Sequence, residues 1–225
     1  MSKNLSRYLR VSAPWLAMVL AVPCAFASDA GAPLPSSFPG PLWEVVAPVG
    51  GTASVANAHL TLSVPGGSNH DSTRPSNDAV RVVQTVNDSN FDVSIKIDSA
   101  ISAKDANTSQ GLMVLADNTD FLTFEVETNG TNISLAVHSV SAGVATTVFN
   151  QAVFSEYHNP ICLRLARSSG NYIAYYSVDG VVWTEAASFV SPISPQQIGP
   201  FAGNYNSAPA RAVPVVMAIN WFDIL

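Results

Sequence analysis

Two carboxylates stand two residues apart in the segment "FLTFEVET", residues 121–128. In an extended strand, residues i and i+2 point to the same face. Glu125 and Glu127 are therefore expected to hold their carboxyls within several ångströms of each other. A pair of carboxyls roughly 5 to 5.5 Å apart serves a retaining glycosidase, one as acid and the other as nucleophile. The same pair can instead accept hydrogen bonds from the hydroxyls of a bound ligand, with no bond broken. A second concentration of polar groups lies upstream in "VPGGSNHDSTRPSNDAVR", residues 64–81. His70, Asp71, Arg74, Asn77 and Asp78 crowd donors and acceptors into one connection, in a chain of which only 12% of residues are charged. Three roles compete there. Asp and Asn side chains cap their own turns, with Arg74 bonding loop carbonyls. Planar polar groups form a rim around a hydroxyl-rich ligand. Or Asp71, Asn77 and Asp78 offer hard oxygen donors to calcium. The spacing follows no calcium-loop pattern. His59, His70, His138 and His158 lie too far apart in the sequence to read as a zinc set.

The elements that must position these groups are strands. Period-2 alternation runs through "HLTLSV" (59–64), "AVRVVQTV" (79–86), "FDVSIKID" (91–98), "FLTFEVET" (121–128), "NISLAVHSV" (132–140), "ICLRLARS" (161–168), "NYIAYYSV" (171–178) and "VPVVMAINWFDIL" (213–225). Weaker candidates are "WEVVA", "GLMVLAD", "ATTVF" and "IGPFAGNY". Asn87-Asp88, Asn129-Gly130, Ser169-Gly170 and Asp179-Gly180 are turn signals between them. No stretch carries a helical period. About a dozen short strands in one chain predict an all-β antiparallel sandwich of two sheets.

Alternation also sorts faces. Phe91, Val93, Ile95 and Ile97 oppose Asp92, Ser94, Lys96 and Asp98; Ile161, Leu163 and Leu165 oppose Cys162, Arg164 and Ala166. In 79–86 either side is a fit for the core. If these strands are neighbours, their polar sides make one surface bearing Arg81, Lys96, Glu125, Glu127 and Arg164. That surface is either an ordinary solvated sheet face or the floor of a groove. A sugar groove also needs a flat ring against which C–H faces pack. Trp183, Tyr205, Tyr176, Tyr172 and Phe121 are the candidates, although Trp183, just past the Asp179-Gly180 turn, equally reads as a hairpin anchor. Trp43 and Trp221, near the two ends, read as core.

Composition narrows the partners. Lys3, Arg7 and Arg10 precede an uncharged stretch containing "WLAMVLAV", and "AFA" follows at 25–27. These features read as a signal peptide, residues 1–27, with cleavage after Ala27 and a secreted product, extracellular or periplasmic. Residues 28–41, rich in Pro, Gly, Ala and Ser, read as a flexible lead-in to a domain spanning 42–225. Without Lys3, Arg7 and Arg10, seven of the ten basic side chains face 16 acidic ones, a net charge of −9. Nucleic acid and anionic membrane are poor partners for such a chain. Cleavage would also remove Cys24 and leave Cys162 alone in a strand, where it reads as a small core hydrophobe.

The run "FDVSIKIDSA" followed by "QGLMVLADNTDFLTFEVETNG" resembles the central part of concanavalin A-like (laminin G-like) jelly-roll modules, in particular the module appended to β-xylosidases and related secreted modules of unknown function. "LRLARSSGNYIAYYSVDGVVWTEAASF", "IGPFAGNY" and "AINWFDI" are similar to the later strands of that group. The likeness covers roughly residues 43 to 225. It implies a jelly roll with one concave sheet and a lectin-like role, the partner being an oligo- or polysaccharide. The expected groove then has Arg81, Lys96, Glu125, Glu127 and Arg164 as floor, His70, Asp71 and Arg74 as rim, and Trp183 or Tyr205 as stacking wall. No cofactor is expected, calcium on Asp71, Asn77 and Asp78 being the alternative. Two other functions stand beside saccharide binding: a glycoside hydrolase using Glu125 and Glu127, and a non-catalytic structural or adhesive envelope protein. The acids of "FEVET" are sparser than in the jelly-roll glucanases that the resemblance brings in.

Overall fold

Where side chains alternate in type, they alternate in burial. Phe91, Val93, Ile95 and Ile97 are buried, while Asp92, Ser94 and Lys96 between them are half-exposed. Leu60, Leu62 and Val64 repeat the pattern, as do Ile161, Leu163 and Leu165. The computed structural model describes residues 41–48, 50–57, 59–73 and 77–224. The expected signal peptide, nearly all of the lead-in, and Arg74 lie outside the described residues.

In chain order the strands are β1 (Trp43–Val46), β2 (Thr52–Ala56), β3 (His59–Val64), β4 (Val80–Thr85), β5 (Phe91–Ile97), β6 (Ile101–Ser102), β7 (Thr108–Leu115), β8 (Phe121–Thr128), β9 (Ile133–Ser141), β10 (Val144–Phe154), β11 (Tyr157–His158), β12 (Ile161–Ser168), β13 (Asn171–Ser177), β14 (Thr184–Val190), β15 (Gln197–Asn204) and β16 (Val215–Ile224). One seven-stranded antiparallel sheet has the order β1-β4-β15-β7-β8-β9-β10. A second has the order β14-β13-β12-β5-β16-β3-β2, and β11 pairs with β6 in a small ribbon. The all-β, two-sheet sandwich read from the sequence is the fold. Its strands exceed the expected dozen by β2, β6, β11 and β14: β6 and β11, of two residues each, are too short to alternate, and β2 and β14 are edge strands with few large apolar side chains.

The core lies between the sheets. Val80, Val82, Leu112, Val114, Leu122, Phe124, Val126, Leu135 and Val137 from the first sheet meet Leu62, Val93, Ile95, Leu163, Leu165 and Met217 from the second. Val80 and Val82 thereby settle the open parity of β4: Arg81 and Val83 point outward. In β16 a bulge between Ile219 and Trp221 shifts the parity. Ile219 is in the core and Phe222 packs against it, so Trp221 sits half-buried on the outer side, opposite Lys96. Trp43 does pack against the core, edge-on to Phe222 with ring centroids 5.0 Å apart. Cys162 is buried and forms no disulfide.

Turn chemistry sets the connectivity in both sheets. Ser169 (φ 49°) and Gly170 (φ 81°) close the β12–β13 hairpin, and Ala142 (φ 48°) with Gly143 (φ 75°) closes β9–β10. Both pairs have the two positive φ angles of a type I′ turn, whose twist matches that of the flanking strands. The Asn129-Gly130 turn joins β8 to β9, which makes those strands neighbours.

The outer face of the first sheet has two halves. At one end Ala79, Val83, Met113, Leu115, Phe121, Val140 and Phe201 form a second buried apolar cluster. The connection after β3 folds over this cluster, and Asn77 donates its amide to Met113 Sδ at 3.3 Å. The other end carries polar side chains and is open.

Candidate functional site

At the open end lies a cleft of about 200 Å³, lined by Asp71 from the loop, Thr108 and Ser109 of β7, Glu125 and Glu127 of β8, and Tyr205 just after β15. Strand parity brings Ser109, Glu125 and Glu127 outward together: Gly111 is the register partner of Glu125, and Ser109 that of Glu127. Gly111 and Gly203, at outward positions of β7 and β15, offer no side chains to fill the trough. A Cβ on Gly203 would stand 2.6 Å from the His70 carbonyl oxygen, so the loop lies directly on the sheet there.

The centre of the site is a cluster of three residues. His138 of β9 places Nε2 3.1 Å from Glu127 Oε2 and 3.7 Å from Glu125 Oε1. The β9 residues opposite Glu125 and Glu127 are the small Ala136 and Ser134, so the imidazole can lean across to both carboxyls. His138 Nδ1 lies 3.2 Å from Thr147 Oγ1, and Asn150 donates to Glu127 Oε1 at 2.5 Å, both from β10. Glu125 is only 1% exposed, and its Oε2 is buried without a hydrogen-bond partner.

Electrostatics separates the two carboxyls. Burial pushes Glu125 up to about 7, the His138 charge opposing and the Glu127 charge adding to the rise. Burial also acts to raise Glu127, but the hydrogen bond and charge of His138, with the Asn150 bond, outweigh it and hold Glu127 below the usual carboxylate range. Burial acts to lower His138, yet its bond to Glu127 and the charges of both glutamates raise it above an ordinary imidazole. Near neutrality the arrangement is an ionised Glu127 bonded to a His138 whose protonated form is favoured, beside a Glu125 that is partly protonated.

The expected groove floor divides between the two sheets. Arg81, Glu125 and Glu127 lie on the outer face of the first sheet. Lys96 and Arg164 lie on the outer face of the second, across the whole core from the cleft, so the shared five-residue surface does not form. Alternation assigns a side chain to a face of its own strand, whereas the sheet that strand joins is decided by long-range pairing. Arg164 binds Asp92 through Nε at 2.8 Å and a second nitrogen at 2.5 Å, and lies over the Tyr175 ring. Lys96 Nζ lies 3.6 Å from Asp98 Oδ1. Arg81 is on the right face but is spent structurally. It donates to the Asn77 and Ala79 carbonyls at 2.9 and 3.2 Å and to Asn118 Oδ1 at 2.8 Å, locking the loop over the apolar half.

The loop residues divide likewise. His70 is fully buried, its Nε2 donates to the Pro48 carbonyl at 3.0 Å, and its backbone pairs with Asn204. It anchors the rim and does not form it. Asp71 lines the cleft while Oδ1 accepts from Thr73 N and Oγ1, both at 2.8 Å. Asn77, at φ 41°, donates its amide N–H to Met113 Sδ, and its Oδ1 is buried with no hydrogen-bond partner among the described residues. Asp78 donates its backbone N–H to the Asp71 carbonyl at 3.2 Å. Of the two stacking candidates, Tyr205 lines the cleft; Trp183 precedes β14, an edge strand of the second sheet, and is remote from it.

His138, Thr147 and Asn150 were not singled out by the sequence. A signal for His138 existed. The Asn129-Gly130 hairpin makes β9 the neighbour of β8, and the parity of "NISLAVHSV" puts His138 on the outward face.

A family model described as the beta xylosidase C-terminal concanavalin A-like domain matches residues 46–212. No curated protein matches the sequence. Among solved structures, a GH43 protein, BlXynB, from Bacillus licheniformis is similar at 18% identity and a TM-score of 0.63, over 82% of this chain but 36% of that one. A functionally unknown protein from Saccharomyces cerevisiae is similar at 15% identity and a TM-score of 0.60, over 81% of this chain and 94% of that one. The carbohydrate binding module CBM66 from Bacillus subtilis is similar at 12% identity and a TM-score of 0.53, again over 81% and 94%. At these identities the likeness is one of fold.

Proposed function

This chain belongs to the family of beta xylosidase C-terminal concanavalin A-like domains, and on that premise we propose that it is an exported saccharide-binding module whose site is the Glu125–Glu127–Tyr205 cleft. The observation that carries the reading is the cleft lining. Carboxylates, hydroxyls and amides supply acceptors and donors around one half-buried tyrosine ring, a composition suited to sugar hydroxyls and C–H faces. The likeness to a named carbohydrate binding module supports the same class of ligand. In this reading the outer face of the first sheet is the concave one, and binding is weak. Each polar contact replaces one with water and nets about 0.5–1.5 kcal/mol, so dissociation constants of roughly micromolar to millimolar are expected.

A glycan array probed with residues 28 to 225, followed by calorimetry on the best ligand, tests this. Tyr205→Ala and Glu127→Gln should each weaken binding by about tenfold or more. Arg164→Ala, on the opposite face, should leave it unchanged. Absence of any glycan ligand, or loss of binding on Arg164→Ala alone, would sink the reading. Export carries its own expectation: N-terminal sequencing of the secreted protein should begin at Ser28, and a secreted chain beginning at Met1 would refute cleavage after Ala27.

A glycoside hydrolase remains the second reading, because a protonated Glu125 beside an ionised Glu127 is the charge state that an acid and its partner carboxylate require. Binding is preferred over cleavage because the His138 imidazole stands between the two carboxyls, where a scissile bond would have to lie. Release of reducing sugar that disappears in Glu125→Gln would reverse that preference.

A further inference from the structure

We propose that Glu125, Glu127 and His138 bind one divalent cation of the zinc class, with an open coordination position toward the cleft. Glu125, Glu127 and His138 converge from two strands, and one donor atom of each lies within 4.8 Å of the others. A tetrahedral cation with donors at about 2.0–2.2 Å sets those donors about 3.4 Å apart. The distances from Nε2 to the two carboxyl oxygens, 3.1 and 3.7 Å, lie either side of that spacing. The two carboxyl oxygens, within 4.8 Å of each other, must close to the same spacing by rotation of their carboxyl groups.

An independent feature points to the same ligand. Glu125 is 1% exposed and lines the cleft; beside Oε1 its second oxygen, Oε2, is buried without a well-formed hydrogen bond, the Thr123 hydroxyl being a neighbour of the carboxyl, so the whole group is short of partners. A buried carboxylate oxygen left unpaired is costly, and in native proteins such a group is paired or coordinates a metal. The surrounding residues hold the donors from behind. Thr147 Oγ1 lies 3.2 Å from His138 Nδ1; with Nδ1–H donating to it, Nε2 faces the cluster, and a bound cation would take the place of the proton that Nε2 shares with Glu127, releasing it to water. Asn150 holds the other oxygen of Glu127. Among the described residues no Lys or Arg lines the cleft, and Asp71 adds a third carboxylate that acts electrostatically on both Glu125 and His138.

The donor set selects the class of ion. Two carboxylates and an imidazole, leaving a fourth position for water or a ligand oxygen, suit zinc and its neighbours among the transition metals. Calcium takes six to eight oxygens and gains little from an imidazole nitrogen.

The test is calorimetric titration of chelator-treated protein with zinc chloride and, separately, calcium chloride, in the absence of sugar. One zinc per chain should bind, at least tenfold more tightly than calcium. His138→Ala and Glu125→Gln should each weaken zinc binding by tenfold or more. His59→Ala, which removes the imidazole beside Asp98 on the other face, should not. Cobalt(II) at the same site should give the strong visible absorption of a four-coordinate ion, lost in His138→Ala. If His138→Ala does not fold, Thr147→Val, which only frees the imidazole, should still weaken zinc binding measurably. Absence of saturable zinc binding, or binding indifferent to both His138→Ala and Thr147→Val, overturns the site. Either result leaves the saccharide reading to the glycan array, since no sugar enters this titration.

Discussion

Gly111→Ala should abolish stable folding or lower the melting temperature by roughly 10 °C or more. Gly111 sits in the interior of β7, with Glu125 of β8 as its register partner. A Cβ there would overlap the Phe124 carbonyl oxygen and stand 2.6 Å from Glu125 Cα. Both obstacles are backbone, so no side chain can swing away to make room. Overpacking that only displaces side chains costs about 1–3 kcal/mol. Here two central strands must part, so the cost should reach or exceed the top of that range. At about 2–4 °C per kcal/mol for a domain of this size, the fall in melting temperature is large. Saccharide and zinc binding should vanish with it, because the displaced segment carries Glu125 and Glu127. Gly67→Ala is the control: its φ is +80°, but nothing lies within 4 Å of an added Cβ. It should cost only the roughly 1–2 kcal/mol of a left-handed backbone. A Gly111→Ala protein that melts within 2 °C of the parent would show that β7 and β8 are not packed this closely.

Between about pH 5 and pH 8, the metal-free protein should lose stability as the pH rises. The folded state holds the Glu125 proton up to about pH 7, whereas the unfolded chain releases it near the ordinary 4.5. Over that window the unfolded state binds fewer protons, so stability falls with increasing pH. His138, raised above its ordinary 6.5, has the same sign and continues the loss through neutrality. Glu127, held below its ordinary value, has the opposite sign and removes stability only under acid conditions, below pH 4.5. Maximum stability is therefore expected near pH 5. At about 1.4 kcal/mol per pH unit, the Glu125 contribution amounts to roughly 3 kcal/mol. Glu125→Gln keeps the size of the side chain and removes its charge. The slope should flatten, and at pH 8 in chelator the variant should melt roughly 5–10 °C above the parent. A parent whose stability climbs steadily from pH 5 to 8, or a variant that keeps the parent's slope, would contradict a buried, reluctant Glu125. Added zinc should reduce the difference at pH 8, because a ligand that binds only the folded state stabilises it.

The loop that looked richest in chemistry serves mainly as construction. Arg81 and Asn77 fasten it over the apolar half of the outer face, and His70 ties it to Pro48 and β15. Asp71 alone, among the described loop candidates, reaches the cleft. A polar residue with several donors is suited equally to bonding a ligand and to bonding loop carbonyls. Composition cannot separate these uses, because they differ only in which atoms lie opposite.

What the sequence determined by itself is local. Period-2 alternation follows from strand geometry, so the inward sets of β3, β5 and β12 were legible residue by residue, and with them the all-β sandwich. The i, i+2 spacing was enough to place Glu125 and Glu127 side by side. Three matters were decided only by the tertiary structure. Long-range pairing sent β5 and β12 to the second sheet, which took Lys96 and Arg164 away from the carboxylates. A single extra residue in β16 turned Trp221 outward, a slip that parity cannot anticipate. Finally, the His138 charge state and the elevated Glu125 depend on burial, and burial is set by what folds over a face. The same "FEVET" on a bare sheet would be two ordinary surface acids; beside residues 71–73 and β9 it becomes a clustered trio.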